Sequence, residues 1–297
     1  MRGEGRRWHR RKGACAATIL LLFLSCAALD AQTPTPELGV PDTEALFRTE
    51  TLPSILKTEA QRYVTDGGAI LLAPLHWDRG CWTQAALAVA SIALLSTQDA
   101  RLDTAFQRNR SGRTDSFSAA VTPLGSYAGI GVSAVSLGAG LLFKNAELRD
   151  TGRDAVEAEL FAAGIVTPIL KKTMGRLRPA QGSDADEYRP FSNDQSFPSG
   201  HATEAFAVAS VFAARSRGWV VPVIAYTLAS GVGLARMNDR AHFASDVVAG
   251  ALIGTAIGHS VVRRHAPDGE KSLSWNLVPI AARRGVGMGI RLETGGP

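Results

Sequence analysis

The sequence predicts an all-α fold: a six-helix bundle core followed by a short C-terminal tail that resembles a β-hairpin. Six apolar stretches lie between Trp82 and Val262, separated by short charged connections. They are rich in Ala, Gly and Ser, whose small side chains let helix backbones approach closely, and they lack the alternation typical of strands. Helices of this kind pack into a bundle. The stretches cover approximately residues 82–97, 117–143, 155–170, 202–215, 219–235 and 242–262.

The composition excludes several classes of protein. Of the 297 residues, 45% are hydrophobic and 20% are charged, which is ordinary for a globular chain and excludes a disordered one. Three cysteines are too few for a disulfide framework. The net charge is +5, but residues 1–31 carry six basic and two acidic side chains. The rest of the chain is therefore nearly neutral, and its charge gives no indication of nucleic-acid binding.

Residues 1–31 have the pattern of an export signal peptide. A basic segment ends at Lys12, an uncharged and mostly apolar run covers residues 13–29, and small residues offer cleavage sites after Ala28 or Ala31. An uncleaved membrane anchor is the alternative. The sequence therefore predicts an exported protein.

Residues 32–75 are predicted to form a polar linker and a short amphipathic helix. Four prolines within residues 32–53 argue against a packed core there. Ser54 can cap a helix, and the Asp-Gly-Gly sequence at residues 66–68 is expected to end it. This helix is expected to pack on the protein, with a membrane surface as the alternative. Residues 76–265 then form the helical bundle domain.

The apolar stretches leave two arrangements open. The second is uncharged from Ser116 to Phe143, long enough to cross a bilayer, which needs about 20 apolar residues per helix. The fifth is uncharged only from Gly218 to Ala235, and the third and fourth are shorter. Mean hydropathy is only +0.03. We expect a membrane-attached bundle, with a soluble periplasmic bundle as the alternative.

The C-terminal tail, residues 266–297, has a different pattern. Apolar segments over residues 275–281 and 286–292 flank an Arg-Arg-Gly sequence. Two such segments around a glycine-containing turn predict a small β-hairpin.

Three polar clusters carry the candidate chemistry. They are residues 171–179 (KKTMGRLRP), 198–201 (PSGH) and 236–246 (RMNDRAHFASD). The first lies at the end of the third predicted helix, the second at the start of the fourth, and the third between the fifth and the sixth. In an up-and-down bundle these ends all lie on one side. We therefore expect the clusters to meet in one pocket.

The first property expected of this pocket is anion binding. Lys171, Arg178 and Arg236 place three cations at one end of the bundle, and arginine matches tetrahedral oxyanions in a bidentate way. Ser199 and Gly200 open the fourth helix, where free backbone N–H groups and the helix dipole favour an anion. These five residues are predicted to bind phosphate.

The second property is nucleophilic catalysis. His242 and Asp246 are four residues apart at a helix start, so they share a face. A carboxylate in that position can fix the imidazole tautomer and stabilise its cation. His242 is therefore the predicted nucleophile. Its attack on phosphorus would form a phosphohistidine. His201, which lacks such a neighbour, is predicted to protonate the leaving oxygen.

Together the three clusters resemble the signature of the type 2 phosphatidic acid phosphatase and vanadium haloperoxidase superfamily. The family pattern is Lys-x6-Arg-Pro, then Pro-Ser-Gly-His, then Ser-Arg-x5-His-x3-Asp. This chain matches it except that Ala235 replaces the serine before Arg236. The resemblance implies a six-helix core, hydrolysis without a metal or cofactor, and the roles given above. Arg176 and Arg240 have no motif role and are expected at the rim of the pocket.

The predicted function is that of a phosphatase acting on lipid phosphates such as phosphatidate, phosphatidylglycerophosphate or polyprenyl pyrophosphate, in the inner membrane with its active site facing the periplasm. Two other enzymes stay open: a soluble, nonspecific acid phosphatase of the periplasm, and a haloperoxidase with vanadate in the same pocket. A non-enzymatic helical scaffold would leave the His242–Asp246 pair idle. The polar segment 180–197 either controls substrate access or is a plain connector. No sequence pattern indicates an oligomeric state.

Overall fold

The computed structural model describes residues 52–182, 184–266, 273–282 and 285–294, with side chains described between residues 57 and 266. The predicted signal peptide and most of the predicted linker lie outside these residues. Within them the chain forms ten α-helices, which confirms the all-α prediction for the bundle. They are α1 (Leu52–Leu72), α2 (Arg79–Ser96), α3 (Asp99–Arg108), α4 (Gly112–Val121), α5 (Tyr127–Leu142), α6 (Ala146–Glu159), α7 (Thr167–Met174), α8 (Gly200–Arg215), α9 (Val220–Asn238) and α10 (Ala244–His265).

Shorter helical turns join several of these helices. Three are 3-10 turns at Ala73–His76, Thr122–Gly125 and Pro179–Gln181, and one is a π-helical segment at Leu160–Val166. All six apolar stretches lie in helical segments, but they are not six continuous helices. The second stretch is divided between α4 and α5, which meet at 48°, because Pro123 within the 3-10 turn cannot donate a helical hydrogen bond.

Helix α1 is longer than the sequence predicts. The expected end at residues 66–68 is wrong, because the helix continues to Leu72. Asp66 binds Arg264 of α10 instead of ending the helix. Gly67 lies against Phe161, and a Cβ on this glycine would come within 2.9 Å of the ring. These tertiary contacts offset the cost of about 1 kcal/mol for a glycine inside a helix.

The centre of the bundle is the contact between α8 and α10. A Cβ on Gly254 would lie 2.2 Å from the Thr203 carbonyl oxygen, so the two backbones are in direct contact. The buried side chains around this contact come from α7, α8 and α10, among them Leu170, Val211 and Ile253. At the start of both helices the Ser199 N–H donates to the Asp246 carbonyl oxygen over 3.0 Å. This contact brings two of the three polar clusters together.

Among the residues that the structure describes, two helices, α9 and α10, are long and apolar enough to cross a membrane. Two bent pairs, α2 with α3 and α4 with α5, pass the same test if each pair forms one span. Large apolar side chains are exposed on α5 and α9, for example Val135, Leu141, Val223 and Ile224. These features support a membrane protein, as expected from the apolar stretches.

The backbone of the C-terminal tail forms two antiparallel strands, β1 (Leu273–Ala282) and β2 (Gly285–Thr294). Leu273 lies opposite Thr294, and Ala282 lies opposite Gly285. The strands cover the two apolar segments from which the hairpin was predicted.

Candidate active site

The structure brings the three polar clusters together at one end of the bundle. Lys171 of α7 lies beside the start of α8, where its Cε would be 3.7 Å from a Cβ on Gly200. Arg176, just after α7, donates to the Asp246 carboxylate of α10. The ends of α7, α8, α9 and α10 therefore enclose one site, as their order along the chain requires.

His242 is buried in the connection between α9 and α10, with 3% of its surface exposed. Its Nδ1 lies 2.6 Å from the Ser196 carbonyl oxygen and 3.8 Å from Asp246 Oδ2. The carbonyl is therefore the hydrogen-bond acceptor for Nδ1–H, and this leaves Nε2 unprotonated. The sequence suggested that Asp246 fixes this tautomer, but the structure gives that contact to a backbone group. Asp246 faces the ring as a nearby negative charge.

Burial lowers the pKa of His242, and the neighbouring Asp246 carboxylate acts against this effect. The imidazole is therefore neutral before any anion binds. A neutral imidazole has the free lone pair that a nucleophile needs.

Asp246 is held by four donors. Its Oδ2 accepts hydrogen bonds from the Ser196 hydroxyl over 2.6 Å and from the Phe243 N–H over 2.9 Å. Its Oδ1 accepts from Arg176 Nη1, and its own backbone accepts from Ser199. This carboxylate thus ties the loop before α8 to the start of α10.

Arg176 lies inside the protein and not at the rim, so that prediction is wrong. None of its surface is exposed. Its guanidinium donates to Asp246, to the Ser245 hydroxyl over 2.7 Å, and to Asp99 Oδ2 over 2.7 Å. The Phe243 ring covers one face with its centroid 4.3 Å away. Two carboxylates and an aromatic face replace the water that this cation loses.

Arg240, the other cation without a motif role, remains partly exposed. It forms an ion pair with Asp103 of α3 over 3.0 Å. This position at the edge of the site agrees with the expectation for Arg240.

His201 lies close enough to the predicted cations for their charges to affect its pKa. Burial, and after it the charges of Arg236, His242, Lys171 and Arg178, lower the pKa of His201 to about 4. The three predicted cations Lys171, Arg178 and Arg236 are therefore all near enough to His201 to act on its charge. His201 is consequently neutral at pH 7 in the absence of an anion.

The individual cations have different partners. Lys171 Nζ donates to the Gln195 carbonyl oxygen over 2.5 Å, and burial together with the charge of Arg178 lowers the pKa of Lys171 to about 8. Arg236 forms an ion pair with Asp239, and its buried Nε has no hydrogen-bond partner among the described residues. Arg178 is exposed at the mouth of the site.

Ser199 and Gly200 hold the positions predicted for a helix start. Ser199 is buried and caps α8, its hydroxyl accepting from the Ala202 N–H. Gly200 is the first residue of the helix. The positive end of the helix dipole therefore points into the site.

Two residues of segment 180–197 belong to the site and were not predicted. Gln195 and Ser196 offer backbone carbonyls to Lys171 and His242, and Ser196 also binds Asp246. Their position directly before the Pro-Ser-Gly-His sequence was the available signal. The end of the segment is thus part of the site.

A cavity of about 420 Å³ opens beside His201. Lys171 and Gly200 line it next to the cations, Thr167 and Glu204 line it farther along α7 and α8, and Ser126 lines it just before α5.

The described residues contain one group of acidic and histidine side chains close enough to share a metal ion, namely Asp66, Glu157 and His265. His265 ends α10 and Asp246 starts it, so this group lies roughly 30 Å from the site. Its members already bind one another and the arginines around them, for example Arg62 and Arg264. It belongs to the opposite end of the bundle.

A family model described as the PAP2 superfamily matches residues 158–269, which contain all three clusters. Three curated relatives are similar to this chain. The lipid A 1-phosphatase of Porphyromonas gingivalis is 40% identical over 90 residues, covering 30% of this chain and 18% of that protein. The lipid A 1-phosphatase of Rhizobium etli is 35% identical over 121 residues, covering 36% and 51%.

The third relative is a probable diacylglycerol pyrophosphate phosphatase 1 of Schizosaccharomyces pombe, 35% identical over 138 residues, covering 35% of this chain and 50% of that protein. The chain thus spans about half or less of the length of these relatives.

Two solved structures are similar. One is a transmembrane PAP2 type phosphatidylglycerolphosphate phosphatase from Bacillus subtilis, with a TM-score of 0.49 and 20% identity, covering 62% of this chain and 98% of that one. The other is Aquifex aeolicus LpxE, with a TM-score of 0.41 and 23% identity, covering 56% and 94%.

Proposed function

Since the chain belongs to the PAP2 superfamily through residues 158–269, we propose that it hydrolyses a phosphomonoester or pyrophosphate of a lipid, through a phosphohistidine on His242 and without a metal ion or cofactor. The names of the relatives support a lipid substrate, because two are lipid A 1-phosphatases and one is a probable diacylglycerol pyrophosphate phosphatase. The two apolar helices support a substrate drawn from the bilayer.

Binding comes first. The substrate phosphate lies against Lys171, Arg178 and Arg236 and the start of α8, whose positive charges replace the water that the phosphate loses. The unpartnered Nε of Arg236 is a donor available to it. Burial and the surrounding cations keep His201 neutral. The bound anion offsets the charge of these cations, so binding raises the pKa of His201 and lets it take up a proton.

The next step is attack by His242, whose Nδ1–H bond to the Ser196 carbonyl leaves Nε2 with a free lone pair. Its Nε2 lone pair forms a bond to phosphorus while the bond from phosphorus to the leaving oxygen breaks. His201 gives its proton to that oxygen. The imidazolium formed at His242 keeps its Nδ1–H on the Ser196 carbonyl and faces the Asp246 charge 3.8 Å away.

Hydrolysis reverses these roles. His201, now neutral, takes a proton from a water molecule as the oxygen attacks the phosphohistidine. The bond from phosphorus to Nε2 breaks, inorganic phosphate leaves, and His242 returns to its neutral form. The observation that carries this proposal is the contact between His242 Nδ1 and the Ser196 carbonyl, since it leaves Nε2 free beside the cations.

The location of the enzyme is part of the proposal. Residues 1–31 have the pattern of an export signal. We place the protein in the inner membrane with the His242 end of the bundle facing the periplasm, where lipid phosphates on that leaflet reach it.

The test is phosphate release by protein purified in detergent with EDTA present. The substrates are para-nitrophenyl phosphate, phosphatidate, phosphatidylglycerophosphate, diacylglycerol pyrophosphate and lipid A. We expect turnover of at least one lipid, loss of turnover in His242→Ala, and a ³²P-labelled phosphoenzyme in the wild type. His76→Ala is the matched control, because His76 is an exposed histidine outside the site.

Phosphate release that persists in His242→Ala, or that EDTA abolishes, would overturn the proposed mechanism. Halide oxidation that appears only with added vanadate would indicate the haloperoxidase instead.

A further inference from the structure

Two polar side chains that line the cavity beside His201 have a buried oxygen atom without a hydrogen-bond partner among the described residues. Thr167 is 1% exposed, and its hydroxyl has no hydrogen-bond partner among the described residues. Glu204 Oε1 is buried and likewise has no such partner in the part of the chain that the structure describes. Both residues line the cavity. Unsatisfied buried polar groups destabilise a protein unless something else binds them.

Thr167 lacks its partner because of the local backbone. A helical threonine usually donates its hydroxyl to a carbonyl three or four residues earlier, as Thr173 does to Ile169 and Leu170. Thr167 directly follows the π-helical segment Leu160–Val166, where the wider turn changes the position of those carbonyls. Such π segments often occur at functional sites.

Glu204 lies beside a second buried carboxyl group, that of Glu159. The Oε1 atoms of Glu204 and Glu159 lie 3.4 and 3.6 Å from the position of a Cβ on Gly129, so the absence of a side chain there leaves room for both. The Ser133 hydroxyl donates to Glu159 over 3.1 Å. Neither glutamate has a cationic partner within 4.0 Å among the described residues. Burial raises the pKa of each carboxyl to about 7, helped at Glu159 by the charge of Glu204.

The two unsatisfied groups are aligned with the catalytic ones. Thr167 precedes Lys171 by four residues on α7, and Glu204 follows His201 by three residues on α8. Residues at these spacings share a helix face, with Cβ atoms about 5–6 Å apart. On α7, therefore, the unsatisfied Thr167 lies one turn from Lys171, which is proposed to bind the phosphate. On α8 the unsatisfied Glu204 lies one turn from His201, which is proposed to protonate the leaving oxygen.

We infer that Thr167 and Glu204 form a subsite for the leaving group, which selects substrates whose leaving group carries a hydroxyl or amine hydrogen-bond donor a few bonds from the ester oxygen. The subsite rests on the proposed function, because a leaving group exists only if the ester is cleaved. A substrate hydroxyl can accept from the Thr167 hydroxyl while donating to the Glu204 carboxyl group, whereas a purely alkyl leaving group would leave both groups buried and unpaired.

The test compares two soluble esters that differ in their hydroxyl groups, glycerol 3-phosphate and propyl phosphate. We expect the wild type to prefer glycerol 3-phosphate by about tenfold in kcat/KM. Thr167→Val and Glu204→Met are each expected to reduce this preference to about threefold or less. Thr173→Val is the matched control, and it should keep the wild-type preference because its hydroxyl bonds only to its own helix.

A wild type that turns over both esters equally, or variants that keep the full preference while melting normally, would contradict the subsite. Its failure is distinguishable from failure of the proposed function by a binding measurement that needs no turnover. Each ester is added to wild type and Thr167→Val, and the rise in melting temperature is recorded. If no phosphate is released, the proposed function fails, but a stronger rise with glycerol 3-phosphate in the wild type alone still shows that Thr167 and Glu204 bind the hydroxyl-bearing group. Equal rises in both proteins overturn it.

Discussion

Arg176 Nη1 donates to Asp246 Oδ1 over 2.5 Å, and neither side chain is exposed to solvent. The second guanidinium nitrogen binds Asp99 of α3, so one buried cation lies between two buried carboxylates. This ion triad links α3, the segment after α7, and the start of α10. Asp246 also lies 3.8 Å from His242. The triad therefore both stabilises the fold around the site and holds the negative charge that faces the His242 ring.

The first prediction concerns loss of this cation. Arg176→Met leaves Asp99 and Asp246 buried without their ion-pair partner, and breaking a buried pair in this way costs about 3–5 kcal/mol. We expect a clear fall in the melting temperature and in kcat. Arg176→Lys should recover part of both, because lysine keeps the charge but lacks the planar guanidinium fork that spans Asp99 and Asp246.

The control for Arg176 is Arg189→Met. Arg189 is 58% exposed and pairs with Glu187 at the surface, where such a pair contributes about 0–1 kcal/mol. If Arg176→Met melts at the same temperature as Arg189→Met, the triad does not stabilise the fold.

The second prediction separates the two neighbours of His242. Because the Ser196 carbonyl holds Nδ1–H, Asp246→Asn should keep the tautomer but lose both the charge that stabilises the imidazolium and the ion pair with Arg176. We expect kcat to fall by about 10- to 100-fold, whereas loss of the correct tautomer in a triad costs about 10⁴-fold. Steady-state kinetics at saturating substrate measures the difference.

A fall near 10⁴-fold in Asp246→Asn protein that still melts cooperatively above the assay temperature would show that the carboxylate, and not the carbonyl, orients the ring. Asp150→Asn serves as the control, because Asp150 pairs with Arg149 on the surface of α6 far from His242.

The sequence was sufficient to predict which residues meet, because each cluster lies at the end of an apolar helix and helix order determines which ends are neighbours. It was not sufficient for Arg176. That side chain is buried because Asp99, about 80 residues away and without any motif, lies opposite it. The acceptor of His242 Nδ1 is a backbone carbonyl, which no side-chain pattern reveals. The end of α1 was mispredicted because Gly67 is stabilised by contact with the distant Phe161 ring.

The third prediction is an acidic pH dependence. The pKa of His201 is lowered to about 4 by burial and by the cations around it, so the protonated acid becomes rarer as pH rises. The pKa of Lys171 is lowered to about 8 by burial and by Arg178, so its charge is lost above that pH. Between pH 6.5 and 9.5, where the substrate phosphate is mostly a dianion, log kcat/KM should fall throughout and fall more steeply above about pH 8.

Lys171→Arg identifies the origin of the steeper limb. Arginine keeps its charge throughout this range, so the variant should lose the steepening near pH 8 and keep the shallower limb that His201 produces. A profile for the wild type that is flat from pH 6.5 to 8 would contradict the assignment of His201 as the acid.

The last prediction concerns the glycines between α8 and α10. A Cβ on Gly254 would lie 2.2 Å from the Thr203 carbonyl oxygen and 2.8 Å from the Ala207 nitrogen. Gly254→Ala must therefore push α8 away from α10, and overpacking of this kind costs about 1–3 kcal/mol. Because α8 carries His201 at its start while α10 follows His242, the same displacement should lower kcat as well as the melting temperature.

Gly131→Ala is the matched control for this substitution. Gly131 lies within α5, and a Cβ there would meet no atom within 4 Å. Alanine has a helix propensity higher than that of glycine by about 1 kcal/mol, so this variant should melt at or above the wild-type temperature with unchanged kcat. If Gly254→Ala behaves in the same way, close contact between α8 and α10 is not what sets the distance between the two histidines.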